Sequence, residues 1–116
     1  MKYAGGCHCG KVRFEVDADI GKAIECNCSI CHRAGWALNF VPAEKFTLLS
    51  GSDVLVDYHF GKKRINHVFC RECGIHSFCK GNSHDGKSEI RAINLRCLDG
   101  LELSTVNISK FDGKRL

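Results

Sequence analysis

Polar and apolar positions along this chain alternate with a period of two. Val12, Phe14 and Val16 interleave with Lys11, Arg13 and Glu15, the pattern of a strand with one face in a core and the other in water. Val54, Val56, Tyr58 and Phe60 repeat it and predict a second buried face. Ile65 to Phe69, Ser77 to Cys79 and Ile90 to Leu95 read as further strands. Gly51-Ser52-Asp53, Phe60-Gly61-Lys62, Gly81-Asn82 and Asp85-Gly86 carry the residues that turn a chain between such runs. Ser29 to Ala34 predicts a short helical turn, and no long amphipathic helix is present. With no repeat, no low-complexity tract and Pro42 as the sole proline, the expectation is one mainly β domain over residues 1–116.

Composition narrows the partners. The 44% apolar content suits a soluble globule, and no apolar run approaches the roughly 20 residues that span a bilayer. Met1-Lys2-Tyr3 leads into Ala4-Gly5-Gly6-Cys7 without the apolar stretch of a secretory signal, so a reducing, cytoplasmic setting is expected. A formal charge of +4 invites a nucleic-acid reading, but it counts every cysteine as neutral. Seven thiolates and two zinc ions would leave the loaded protein near +1, too little to argue for a polyanionic partner.

The candidate chemistry lies in the cysteines. Seven of nine fall into three clusters: Cys7-His8-Cys9, Cys26-Asn27-Cys28-Ser29-Ile30-Cys31 and Cys70-Arg71-Glu72-Cys73. Disulfides are the competing explanation at this density. An odd count and ligands two or three positions apart favour chelation instead. Structural zinc takes four tetrahedral thiolates, and reactive zinc keeps a position open. Seven therefore divides into a closed site from Cys7, Cys9, Cys70 and Cys73, and an open one from Cys26, Cys28 and Cys31. On an extended strand Cys7 and Cys9 would point to the same face, and Cys70 to Cys73 with Gly74 behind it reads as a knuckle. The middle cluster has no obvious fourth ligand: His32 is adjacent but strained, and Cys79, Cys97, His59, His67 and His76 are spare. Cys97 also reads as a small buried apolar residue.

A zinc ion with three thiolates is a weak Lewis acid, which points away from zinc-hydroxide hydrolysis and toward holding a substrate thiol as thiolate beside a small aldehyde. His32 or His59 is the candidate proton donor. Arg33 and Arg96 could pair carboxylates of a peptide-like thiol or only neutralise the thiolates. Trp36 could floor a pocket or belong to the core. Lys62-Lys63-Arg64 reads as a solvated turn. A non-catalytic zinc module that binds a protein or thiol ligand, and a zinc or redox sensor, need the same ligands.

The order Gly6-Cys7-His8-Cys9-Gly10, Cys26-Asn27-Cys28-Ser29-Ile30-Cys31, Phe69-Cys70-Arg71-Glu72-Cys73-Gly74 resembles the glutathione-dependent formaldehyde-activating family, which includes the centromere protein V domain. Ile93-Asn94-Leu95-Arg96-Cys97-Leu98-Asp99 and Phe111-Asp112-Gly113 resemble that family's closing segments. The resemblance implies a β-tent of antiparallel sheets, a structural zinc on Cys7, Cys9, Cys70 and Cys73, and a catalytic zinc on Cys26, Cys28 and Cys31. It also implies a carbon–sulfur lyase that joins glutathione and formaldehyde as S-hydroxymethylglutathione.

Overall fold

The structure, a computed structural model, describes residues 1–59, 65–83 and 86–115. In chain order the strands and helix are β1 (Lys2–Gly6), β2 (Arg13–Asp17), β3 (Lys22–Cys26), α1 (Ser29–Ala34), β4 (Leu38–Pro42), β5 (Phe46–Ser50), β6 (Leu55–Tyr58), β7 (Ile65–Cys70), β8 (Phe78–Asn82), β9 (Glu89–Asn94) and β10 (Asn107–Phe111). Single 3-10 turns join several of them. The strands form a three-stranded sheet, β1-β2-β5, and a seven-stranded sheet, β10-β3-β4-β9-β8-β7-β6. The fold is mainly β, as the alternation predicts. All pairings are antiparallel except β10 with β3, which is parallel from Asn107↔Lys22 to Phe111↔Cys26.

Period-two patterning decides the core of the smaller sheet. Val12, Phe14 and Val16 are fully buried, and Phe14 stacks on Phe46 at 5.2 Å between ring centroids. Phe78 of the larger sheet closes the trio, 4.6 Å from Phe46 and 6.0 Å from Phe14. Full burial of one such ring is worth about 1.5–3 kcal/mol, so these contacts hold the sheets face to face. An isolated antiparallel bridge from Gly5 to Leu98 ties β1 to the segment that follows β9.

The structure corrects several expectations. Val54 is buried, but it sits in a 3-10 turn, and Val56 and Tyr58 are exposed. β6 is the outermost strand of its sheet, and Val56 and Tyr58 stay open to solvent there. Gly81-Asn82 does not turn: both residues extend β8, with Gly81 opposite Ile90 and Asn82 opposite Glu89. The Gly51 turn is present, with φ +93°, and Gly86, at φ +74°, is left-handed. Phe60-Gly61-Lys62, Lys62-Lys63-Arg64 and Asp85 lie outside the described residues. Among the described residues no helix is long and apolar enough to cross a membrane.

Candidate metal centres

The first centre joins the β1–β2 connection of the smaller sheet to the end of β7 in the larger one. Cys7 and Cys9 do not lie on an extended strand as expected. β1 stops at Gly6, and the chain turns so that the Gly10 N–H donates to the Cys7 carbonyl at 3.3 Å. Gly10 takes φ +84°, a conformation that costs glycine nothing. At the end of β7 the same device recurs: the Gly74 N–H donates to the Cys70 carbonyl at 2.7 Å, with Gly74 at φ +78°. The knuckle expected from Cys70 to Cys73 is therefore formed.

These turns bring the sulfurs of Cys7, Cys9, Cys70 and Cys73 within 4.8 Å of one another. Cys7 to Cys9 and Cys9 to Cys70 both measure 3.6 Å. A tetrahedron with metal–sulfur bonds of about 2.3 Å has edges of about 3.8 Å, so the cluster has the size zinc requires. The Val12 N–H donates to Cys7 Sγ at 3.3 Å. Burial works against ionising Cys73, yet the backbone N–H groups of Cys9 and Ile75 bring it down to about 6. For Cys9 the Lys11 N–H favours the thiolate, but desolvation and three neighbouring thiols outweigh it and push the group up to about 11. Four thiolates this close would repel one another, and a divalent cation held among them would let all four ionise.

The second centre is local. Cys26 ends β3, Cys28 caps α1, and Cys31 follows one turn into the helix. The His32 N–H donates to the Cys28 carbonyl at 2.9 Å, and the Gly35 N–H closes the helix on the Cys31 carbonyl at 3.0 Å. This half-buried triad also lies within 4.8 Å, and among the described residues no fourth histidine, cysteine or carboxylate joins it. Desolvation opposes the Cys28 thiolate, but N–H groups of Cys31 and Ile30 and the flanking thiols lower it. Burial pushes Cys31 up, against a lowering by the Trp36 indole N–H. The Trp36 Nε1 donor is buried near that sulfur but does not reach a well-formed hydrogen bond, so its help to the thiolate is small beside the desolvation.

A cleft of about 390 Å³ opens on this triad, lined by Glu25, Cys26, Asn27, Cys31, His32, Gly35, Trp36, Lys110, Phe111 and Asp112. Of the candidate proton donors only His32 borders it, exposed on α1. His59 lies exposed beyond β6, where its charge acts on His67. His67 and His76 are not ligands of the triad: they pack on Trp36 at 6.1 and 5.1 Å, and their Nδ1 atoms bond the carbonyls of Tyr58 and Val68. Arg96 donates Nε to the carbonyl of Gly35, a residue of the cleft, at 3.1 Å; the bonded Lys110, with a smaller contribution from Arg96, holds Glu25 below the ordinary carboxylate value. Arg33 bonds the Ser29 carbonyl on the other side of α1 and borders a different depression with Tyr58 and His76. Trp36 belongs to both readings offered for it, buried in a small core with Leu38, Cys79 and Ala92 while facing the cleft. Cys79 is buried and pushed up to about 12. Cys97 is only partly buried; desolvation and the nearby Cys7 and Cys73 raise it to about 11.

Lys110, Phe111 and Asp112 reach the cleft although no spacing along the chain links them to the cysteines. Their place follows from the parallel pairing of β10 on β3, which sets Phe111 beside Cys26. The one available signal was the resemblance of Phe111-Asp112-Gly113 to a family closing segment.

Packed sheets carrying one four-thiol and one three-thiol cluster, each able to hold a metal ion, define a small β protein with two candidate metal centres. Residues 2–109 match the model of the glutathione-dependent formaldehyde-activating enzyme family, and the chain belongs to that family. A crystal structure of a Rhodobacter sphaeroides protein, a Northeast Structural Genomics target, is similar to it. The two share 30% identity over 91% of this chain and 99% of that one, with a TM-score of 0.78.

Proposed function

We propose that the chain is a zinc-dependent carbon–sulfur lyase acting on a thiol–aldehyde adduct, with glutathione and formaldehyde joined as S-hydroxymethylglutathione. The observation that carries this reading is the three-thiol cluster that has no fourth protein ligand among the described residues and whose Cys26 and Cys31 border a cleft. Cys7, Cys9, Cys70 and Cys73 would hold a structural zinc. Cys26, Cys28 and Cys31 would hold the second zinc, which when bound lowers the pKa of a thiol and favours its thiolate. Family membership supports the substrate pair, since the family's name states that activity.

The protein's own groups have definite tasks. The cleft admits a thiol next to Cys26 and Cys31, and its rim carries the Lys110–Glu25 ion pair at 2.8 Å. In the reaction the thiol sulfur forms a bond to the aldehyde carbon, the carbonyl electron pair moves to oxygen, and that oxygen takes up a proton while the thiol loses one. His32 is the group on the rim able to carry that proton between the two atoms. Thiols add to formaldehyde unaided, so the test compares adduct formation, followed by exchange NMR, with the spontaneous rate. Zinc-loaded protein should exceed that rate and Cys28→Ser should fall back to it. Thiol binding without acceleration would leave a carrier or sensor, and wild-type protein no faster than buffer would overturn the enzymatic reading.

A further inference from the structure

Asn27, between two ligands of the second cluster, directs every polar group it has, apart from its own carbonyl, at one distant segment. Its backbone N–H donates to the Phe111 carbonyl at 3.1 Å. Its side-chain Nδ2 donates to Asp112 Oδ1 at 2.9 Å, and its Oδ1 accepts the Lys114 N–H at 3.0 Å. These bonds span 85 and 87 positions of the chain. Between the anchored residues lies Gly113, whose α-carbon is pressed onto the cluster. A Cβ built there would overlap Cys26 Sγ, lie 3.4 Å from Cys28 Cβ and 3.5 Å from the Phe111 ring. Gly113 has no left-handed φ among the described glycines, so what excludes a side chain there is contact with the sulfur.

We propose that Asn27 and Gly113 form a latch that positions Cys26 for metal, a role resting on the reading of Cys26, Cys28 and Cys31 as a metal site. Cys26 terminates β3, which lies between β10 and β4, and its sulfur accepts the Cys28 N–H at a long 3.4 Å. Cys28 and Cys31 are fixed relative to each other by a helical turn, but Cys26 lies outside that turn. The segment over Gly113 walls one side of the Cys26 sulfur, and Asn27 holds that wall in place. Asn27 and Gly113 are thus positioning residues, and neither is a ligand.

Cobalt titrated into metal-free protein reads each site through its thiolate-to-metal absorption. In Gly113→Ala the added methyl group forces the Cys26 sulfur or the segment to move. Affinity for the second cobalt should then fall about 10–100-fold, the scale of outer-sphere losses, with weakened thiolate absorption and the first cobalt unchanged. Asn27→Ala introduces no clash and should release the second metal to a chelator at least several-fold faster, again sparing the first. Retention of the first cobalt with wild-type absorption shows that either variant is folded. Variants that match a two-cobalt wild type in affinity, spectrum and release would overturn the latch alone. Loss in Gly113→Ala with no change in Asn27→Ala would overturn the role of Asn27. A wild type that binds a single cobalt would overturn the latch together with the metal reading beneath it.

Discussion

The two thiol clusters use the same ligand in opposite ways. The four-thiol cluster joins positions 61 apart, Cys9 to Cys70, with Cys7 and Cys70 buried where the sheets meet. The three-thiol cluster is confined to Cys26–Cys31, half-buried at the end of β3 and beside a cleft. A metal in the first closes a long loop and so removes much freedom from the unfolded chain, which ties it to folding. A metal in the second fixes only a strand end and one helical turn, so it can exchange without the sheets coming apart. On the proposed reading, range along the chain, more than ligand type, would separate a staple from a reactive site.

The largest effect expected from this contrast is in stability. Cys70→Ser or Cys73→Ser removes a ligand of the long-range staple, whose metal contributes on the order of 10 kcal/mol in small zinc domains; these variants should show no cooperative melt. Cys28→Ser should stay folded, within roughly 4–8 °C of the wild-type melting temperature, the shift that about 1 kcal/mol produces in a small domain. Equal collapse of both, seen by circular dichroism, would erase the distinction. The next effect is in lability. Protein isolated with two zinc ions should lose one to a mild chelator and keep the other, as read by elemental analysis, and simultaneous loss would show that both clusters are structural.

The smallest effect is a pH dependence that belongs to neither cluster. Desolvation lowers His67 and His76 below the ordinary histidine value of 6.5, each against a carbonyl that favours its charged form. The unfolded chain therefore binds protons that the folded one refuses. Stability is full above 6.5 and declines as pH falls from there toward the lower folded values. Melting temperature of zinc-loaded protein should drop modestly across that window, and His67→Phe should flatten the slope. An unchanged slope would mean that His67 charges as easily folded as unfolded.

Much of this was legible before any coordinates. Val12, Phe14 and Val16 are buried as their alternation requires, because a strand with one wet face has only one arrangement. The same alternation misleads at Val56 and Tyr58, which stay exposed on β6 at the rim of the sheet. The Cys70–Cys73 knuckle follows from two residues between ligands and a glycine after them. The Cys7–Cys9 turn does not, because side chains two apart converge equally well on a strand or in a turn, and only Gly10 at φ +84° decides. β1, β3, β4, β5 and β10 lack a clean alternation and owe their state to their partners.

The sequence by itself determined which atoms can hold metal, and how many: thiolate chemistry is a property of the residue, and chelate spacing is local. It also determined that Cys28 and Cys31 share one turn of helix. Only the tertiary structure decided that Cys7 and Cys9 meet Cys70 and Cys73, that the triad faces a cleft, and that Gly113 lies against Cys26. Each of those joins residues some 60 to 90 positions apart. Such meetings are set by strand pairing and by burial of Phe14, Phe46 and Phe78 between the sheets. These are collective choices of the whole chain, and no local pattern of residues carries them.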